Sequence, residues 1–208
     1  MAFRQLQDLV FNYTKEFKPQ YWPSLDISAR LEQEMGELSK VLNIKYGQKR
    51  EKPDEEVNTI EEEMADVLFT LCCLADSHEL SIDLFINELM NKEYRTKGYE
   101  DYGDDETLKS IRDQIYKLKN PEYENLNQLE ILAKLNKNSG DLAGVIFDRR
   151  VSMQNGDDDY FKPLGNAIAN IVITMFYLAG MENINLEKSF VDKIDYYKQR
   201  GDPDTYRK

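Results

Sequence analysis

Histidine is almost missing from this chain: His78 is the single one in 208 residues. That excludes the Glu-x-x-His pairs which a di-iron carboxylate bundle draws from two of its helices. Cysteine is scarce too. Cys72 and Cys73 are neighbours in an apolar stretch, where adjacent helical positions point about 100° apart, so they read as free core thiols and not as a disulfide or a metal pair. Basic charge is the minority. The 27 Lys and Arg against 39 Asp and Glu leave a formal charge of −12, which argues against a nucleic-acid or anionic-membrane surface. No run of about 18 apolar residues occurs, and the amino terminus is not basic-then-apolar. Neither a membrane span nor a signal peptide is therefore visible, and a cytoplasmic location is the expectation.

What is present, 41% hydrophobic and 32% charged residues, suits a folded core under a charged surface. The chain reads as helices throughout. Residues 2–16 carry Leu6, Leu9, Val10 and Tyr13 at helical spacing. Pro19 and Pro23 then bracket a loop with Tyr21 and Trp22, the only tryptophan. A second helix starts near Ser24 or Asp26, both suitable N-caps, and runs to about Lys45. A third spans about Thr59 to Ser77, and Ser81 caps a fourth running from Ile82 to about Lys97. Residues 98–105 are rich in glycine and acid and read as a linker.

The second and third helices each carry two acids three residues apart, Glu34 with Glu37 and Glu63 with Asp66. One helical turn brings each pair onto a common face. In an acidic protein the spacing alone means little, so their setting decides. Glu34 falls inside the apolar arc of Leu31, Met35, Leu38, Val41 and Leu42, and Glu37 lies at its edge. From Val67 to Ala75 the helix is apolar almost all round, and Glu63 and Asp66 sit on it. Burying isolated carboxylates costs several kcal/mol each unless they are paired or hold a metal. No Lys, Arg or His lies inside either stripe. The expectation is four carboxylates holding a hard cation, Mg²⁺ or Mn²⁺.

The pattern returns 104 residues later. Leu31, Gly36, Leu38 and Val41 fall on Leu135, Gly140, Leu142 and Val145; Ala65, Thr70, Leu74 and Ala75 fall on Ala169, Thr174, Leu178 and Ala179. The charges do not return. Glu34 becomes Asn138, Glu63 becomes Ala167, Asp66 becomes Asn170, and Asp141 alone stays acidic opposite Glu37. The expectation is an all-α protein of two tandem four-helix repeats, residues 1–102 and 103–208, packed as an intrachain pseudo-dimer. The first repeat would carry the metal site and the second would cover it. Lys193 and Arg200 read as surface cations or as residues that reach the first half's substrate.

The segments Arg30-Leu-x-x-Glu34-x-Gly-Glu37-Leu38, Glu62-Glu63-x-x-Asp66-Val-Leu-Phe69 and Leu74-Ala75 resemble the MazG-type nucleoside triphosphate pyrophosphohydrolases, within the all-α superfamily that includes dimeric dUTPases. The resemblance covers about residues 3–97, and the second half as a degenerate copy. It implies Mg²⁺-dependent hydrolysis of a (d)NTP to the monophosphate and pyrophosphate, with Glu34, Glu37, Glu63 and Asp66 as metal-binding carboxylates and Lys92 on a phosphate. Where the family usually has an asparagine and an arginine beyond that lysine, Tyr94 and Thr96 stand here, with Arg95 and Lys97 displaced. Crowded carboxylates raise one another's pKa, so one can serve as base, and Glu37 at the stripe edge is the candidate. Tyr21 and Trp22 stack on a nucleobase or seal the end of the bundle, and a further homodimer stays open. The alternative function is a non-catalytic nucleotide-binding or regulatory bundle, or a scaffold whose acids face solvent.

Overall fold

The computed structural model describes residues 1–52, 57–94, 106–118, 120–155 and 160–200. Among them the regular structure is all helical: α1 (Phe3–Thr14), α2 (Ser24–Tyr46), α3 (Ile60–Asp76), α4 (Ile82–Tyr94), α5 (Leu108–Lys117), α6 (Gln128–Asn155), α7 (Phe161–Glu182) and α8 (Leu186–Arg200). The expected linker at 98–105, and with it the boundary between residues 102 and 103, lies outside the described residues.

Local chemistry sets the helix ends. Thr59 caps α3 by a reciprocal pair: its Oγ1 accepts from the Glu62 N–H at 3.2 Å, and Glu62 Oε2 accepts from the Thr59 N–H at 2.7 Å. That box takes Glu62 out of contention as a ligand and leaves Glu63 in the first turn, where the positive end of the helix favours a carboxylate. The start of α2 differs from the sequence expectation. Pro23 occupies the cap, Ser24 and Asp26 lie inside the first turn, and the Ser24 hydroxyl lies 2.8 Å from His78 Nε2. Both α3 and α7 end in the same turn. Glu79 (φ 56°) and Asn183 (φ 54°) are left-handed, and the N–H of the next residue returns to Ala75 O at 3.0 Å and Ala179 O at 2.9 Å.

α3 and α7 form the centre. Met64, Leu68 and Leu71 of α3 and Val172, Met175 and Phe176 of α7 are all buried. α7 has the length and hydropathy of a membrane-spanning segment, yet 78% of its most apolar stretch is buried inside the protein. Around this centre the packing repeats on exchange of the halves. α1 and α2 lie on α3 as α5 and α6 lie on α7; α8 covers α3 and α4 covers α7. α2 meets α6, and α3 meets α7. The helices also repeat in spacing, since α6 begins 104 residues after α2 and α8 begins 104 after α4. Gly165 permits the α4–α7 approach: a Cβ there would lie 2.3 Å from the Phe85 ring. The consequence for function is that α8, from the end of the chain, lies against the acid-bearing helix of the first half.

Candidate functional site

Packing α2 against α3 brings carboxylate oxygens of Glu34, Glu37 and Glu63 within 4.8 Å of one another. Glu34 and Glu63 are buried, and Glu37 is half-buried. Burial is the main reason that the Glu34 carboxyl is pushed up to about 7; Arg30 pulls it down, and Asp66, Glu37 and Glu63 push it further up. Burial likewise raises Glu63, against a hydrogen bond from Asn58 Nδ2 to its Oε1 at 2.9 Å. Glu63 Oε2 is buried without a hydrogen-bond partner. Gln33 Nε2 donates to Glu37 Oε1 at 3.2 Å. A buried orphan oxygen inside a set of hard oxygen donors fits a divalent cation, which would supply the missing partner.

Asp66, the fourth expected acid, is directed elsewhere. Lys193 Nζ of α8 is 2.7 Å from its Oδ2, and the Tyr197 hydroxyl donates to its Oδ1. Burial and the Asp66 charge both push the Tyr197 hydroxyl up, so it keeps its proton. The expectation that these acids have no basic partner is therefore corrected twice. Arg30, one turn before Glu34 on α2, forms an ion pair with it, and Lys193 pairs with Asp66 from the other end of the chain. Apolar-stripe reasoning missed Arg30 because it sits beside the arc and reaches over it, an i,i+4 pair that the sequence does spell out. Nothing in local spacing points to Lys193 or Tyr197.

Beside the acids opens a cavity of about 120 Å³, lined by Tyr13, Phe17, Tyr21, Trp22, Phe69 and Tyr197 among others. Glu34 and Arg30 belong to its lining, so the acid cluster lies at its edge. A cavity of roughly 150 Å³ accommodates one benzene ring, so this space suits a single flat ring with anything attached to it lying outside. Tyr13 and Tyr197 stack at 6.0 Å, and Phe69 meets both rings edge-on. Arg200 and Lys18 also line the cavity. Lys193 is thus a site residue with 13% of its side chain exposed, and Arg200 faces the cavity. Lys92 is exposed on α4, which packs on α7 and α1; the cations paired with the acids are Arg30 of α2 and Lys193 of α8. Arg95 and Lys97 lie outside the described residues.

The equivalent place in the second half is built differently. Asn138 Nδ2 donates to Thr174 Oγ1 at 2.9 Å and to Asn170 O at 3.3 Å. Asp141 is exposed and paired with Lys137 at 2.6 Å. Tyr177, at the position of Cys73, stacks on Tyr123 with ring centroids 3.9 Å apart. The amides bond to the protein's own groups there, and the stacked tyrosines line, with Asn138, Asp141 and Asn170, a cavity of about 290 Å³.

The fold and the site together define an all-helical bundle with a carboxylate cluster beside a ring-sized aromatic cavity. Residues 24–97 match the family described as MazG nucleotide pyrophosphohydrolase domain. An uncharacterized protein of Bacillus subtilis (strain 168), YpjD, is 39% identical over 91 residues, which is 44% of this chain and 82% of that relative. No solved structure matches the chain. The chain belongs to the MazG nucleotide pyrophosphohydrolase domain family, whose members are nucleoside triphosphate pyrophosphohydrolases and generally metal-dependent.

Proposed function

We propose that the protein hydrolyses a nucleoside triphosphate to the monophosphate and pyrophosphate with Mg²⁺ or Mn²⁺. The observation that carries this reading is the cluster of Glu34, Glu37 and Glu63, with its orphan oxygen, at the edge of a ring-sized aromatic cavity. Glu34, Glu37 and Glu63 would hold the cation, joined by Asp66 if that acid exchanged Lys193 and Tyr197 for the metal. A cation held there would neutralise phosphate charge and lower the pKa of the attacking water. Glu37, half-buried and open to solvent, takes the proton of the attacking water if metal does not engage it fully. Tyr21 and Trp22 stack on the base, and Arg30, Lys193 and Arg200 provide positive charge for the phosphates. Lys92, Arg95 and Lys97 remain candidates for a phosphate contact from α4 and the segment after it.

We also infer that residues 1–102 and 103–208 are tandem copies packed as a dimer is packed. The repeat of 104 residues in helix starts, the paired packing, and a relative of about half this chain's length support it. The second copy then supplies one wall of the first copy's site through Lys193, Tyr197 and Arg200.

A second reading is a bundle that binds nucleotide and metal without turnover. It draws on the two ion pairs, which already neutralise Glu34 and Asp66. A panel of NTPs and dNTPs with Mg²⁺, with products separated by chromatography, decides between the two. Monophosphate and pyrophosphate in equal amounts support hydrolysis; metal-dependent binding without product supports the second reading.

A further inference from the structure

The loop between α1 and α2, residues 15–23, forms one wall of the aromatic cavity and carries Tyr21 and Trp22. The Tyr21 hydroxyl donates to Asp76 Oδ2 at 3.2 Å. Asp76 is the last residue of α3, an unfavourable place for a carboxylate, because the helix presents its negative end there. It is also half-buried, and burial lifts its pKa to about 6. The donors that hold it are neutral: besides Tyr21, Gln7 Nε2 donates to Oδ1 at 2.7 Å. Gln7 is itself buried and fully used. Its Nε2 also donates to Leu80 O at 2.9 Å, and its Oε1 accepts from the Ile82 N–H at 3.1 Å. One glutamine thus joins α1, the end of α3 and the start of α4, and the carboxylate it holds grips the cavity loop. Asp76 does not line the cavity, so its effect on any bound ring passes through Tyr21.

We propose that Asp76 is a positioning residue for nucleotide recognition: anchored by Gln7, it fixes the Tyr21 ring and the adjoining Trp22 against the base. This rests on the reading of the cavity as a nucleobase site. One hydrogen bond of this kind is worth about three- to tenfold in affinity once it holds a binding wall in place.

The test uses the full chain with Tyr21→Phe, Asp76→Ala and the double variant. Trp22, the only tryptophan, reports on the loop without substrate through acrylamide quenching. Tyr21→Phe keeps the ring and removes one hydroxyl, so the comparison holds even if Asp76→Ala folds poorly. The proposal predicts easier quenching in both single variants and no further increase in the double over Asp76→Ala. It also predicts that KM for the triphosphate turned over best rises about three- to tenfold in Tyr21→Phe, as the larger part of the loss in kcat/KM. Additive quenching, quenching equal to the parent in Tyr21→Phe, or an unmoved KM overturns it. Coupled quenching in a protein that turns over no triphosphate supports the tether and places the failure in the nucleotide reading.

Discussion

Replacing Glu34 by Gln removes the charge of a buried carboxylate while keeping its shape, and the effect on the metal-free protein follows from its ionisation. The folded protein holds this carboxyl at about 7 against an ordinary 4.5, chiefly through burial. A folded pKa above the unfolded one means that the group's stabilising contribution is present below about pH 4.5. It is lost as pH rises through 7. At about 1.4 kcal/mol per tenfold change, ionised Glu34 costs about 3 kcal/mol at pH 8, with the pull of Arg30 already included. Gln carries no such cost. Because part of that cost is already present at pH 5, the melting temperature of Glu34→Gln relative to the parent, in chelator, should be roughly 5–10 °C more favourable at about pH 8 than near pH 5. Differential scanning calorimetry at both pH values measures it. If the variant is the less stable at pH 8 and the gap is independent of pH, then the Arg30 ion pair outweighs burial and Glu34 is a structural acid.

Other outcomes follow from the same geometry. Lys193→Met leaves Asp66, with 7% of its side chain exposed, holding the Tyr197 hydroxyl and no cation. It should destabilise the chain by about 1.5–3 kcal/mol in urea unfolding and lower turnover at least tenfold; a fully active variant would remove α8 from the site. Asp141→Asn alters an exposed ion pair within α6 that includes none of the clustered acids, so Mn²⁺ binding by calorimetry and turnover should both match the parent. Loss of metal or activity there would mean a working site in the second half. Residues 1–102 expressed alone expose the face of α3 that α8 and α7 cover, and light scattering should find aggregate or homodimer. A soluble, active monomer would end the tandem reading.

Much of the first half was legible in the sequence, for definable reasons. Glu34, Glu37 and Glu63 could be brought together because each helix has one period and their apolar neighbours fix which face turns inward. The Thr59–Glu62 capping box was equally open to reading, as a Thr-x-x-Glu before an apolar run. It would have separated Glu62 from Glu63 on chemical grounds. Arg30 lay one turn from Glu34 and could have been paired with it. What no local rule supplies is the arrival of Lys193 and Tyr197, because their place depends on how α8 crosses α3. The aromatic loop is similar. Two prolines mark residues 15–23 as irregular, but only packing decides that Tyr21 reaches Asp76. The cavity of the second half falls between these cases: Asn138 and Asn170 announce lost charge, whereas the stacking of Tyr123 on Tyr177 joins residues with no shared period.

In the proposed reaction water attacks the α-phosphorus of a triphosphate bound at this carboxylate cluster. Turnover in heavy-oxygen water with Mg²⁺, followed by mass spectrometry of both products, tests it directly. The label should appear in the nucleoside monophosphate with unlabelled pyrophosphate, and Glu34→Gln should form neither product. Label in pyrophosphate, release of a nucleoside diphosphate with phosphate, or undiminished turnover by Glu34→Gln would contradict it.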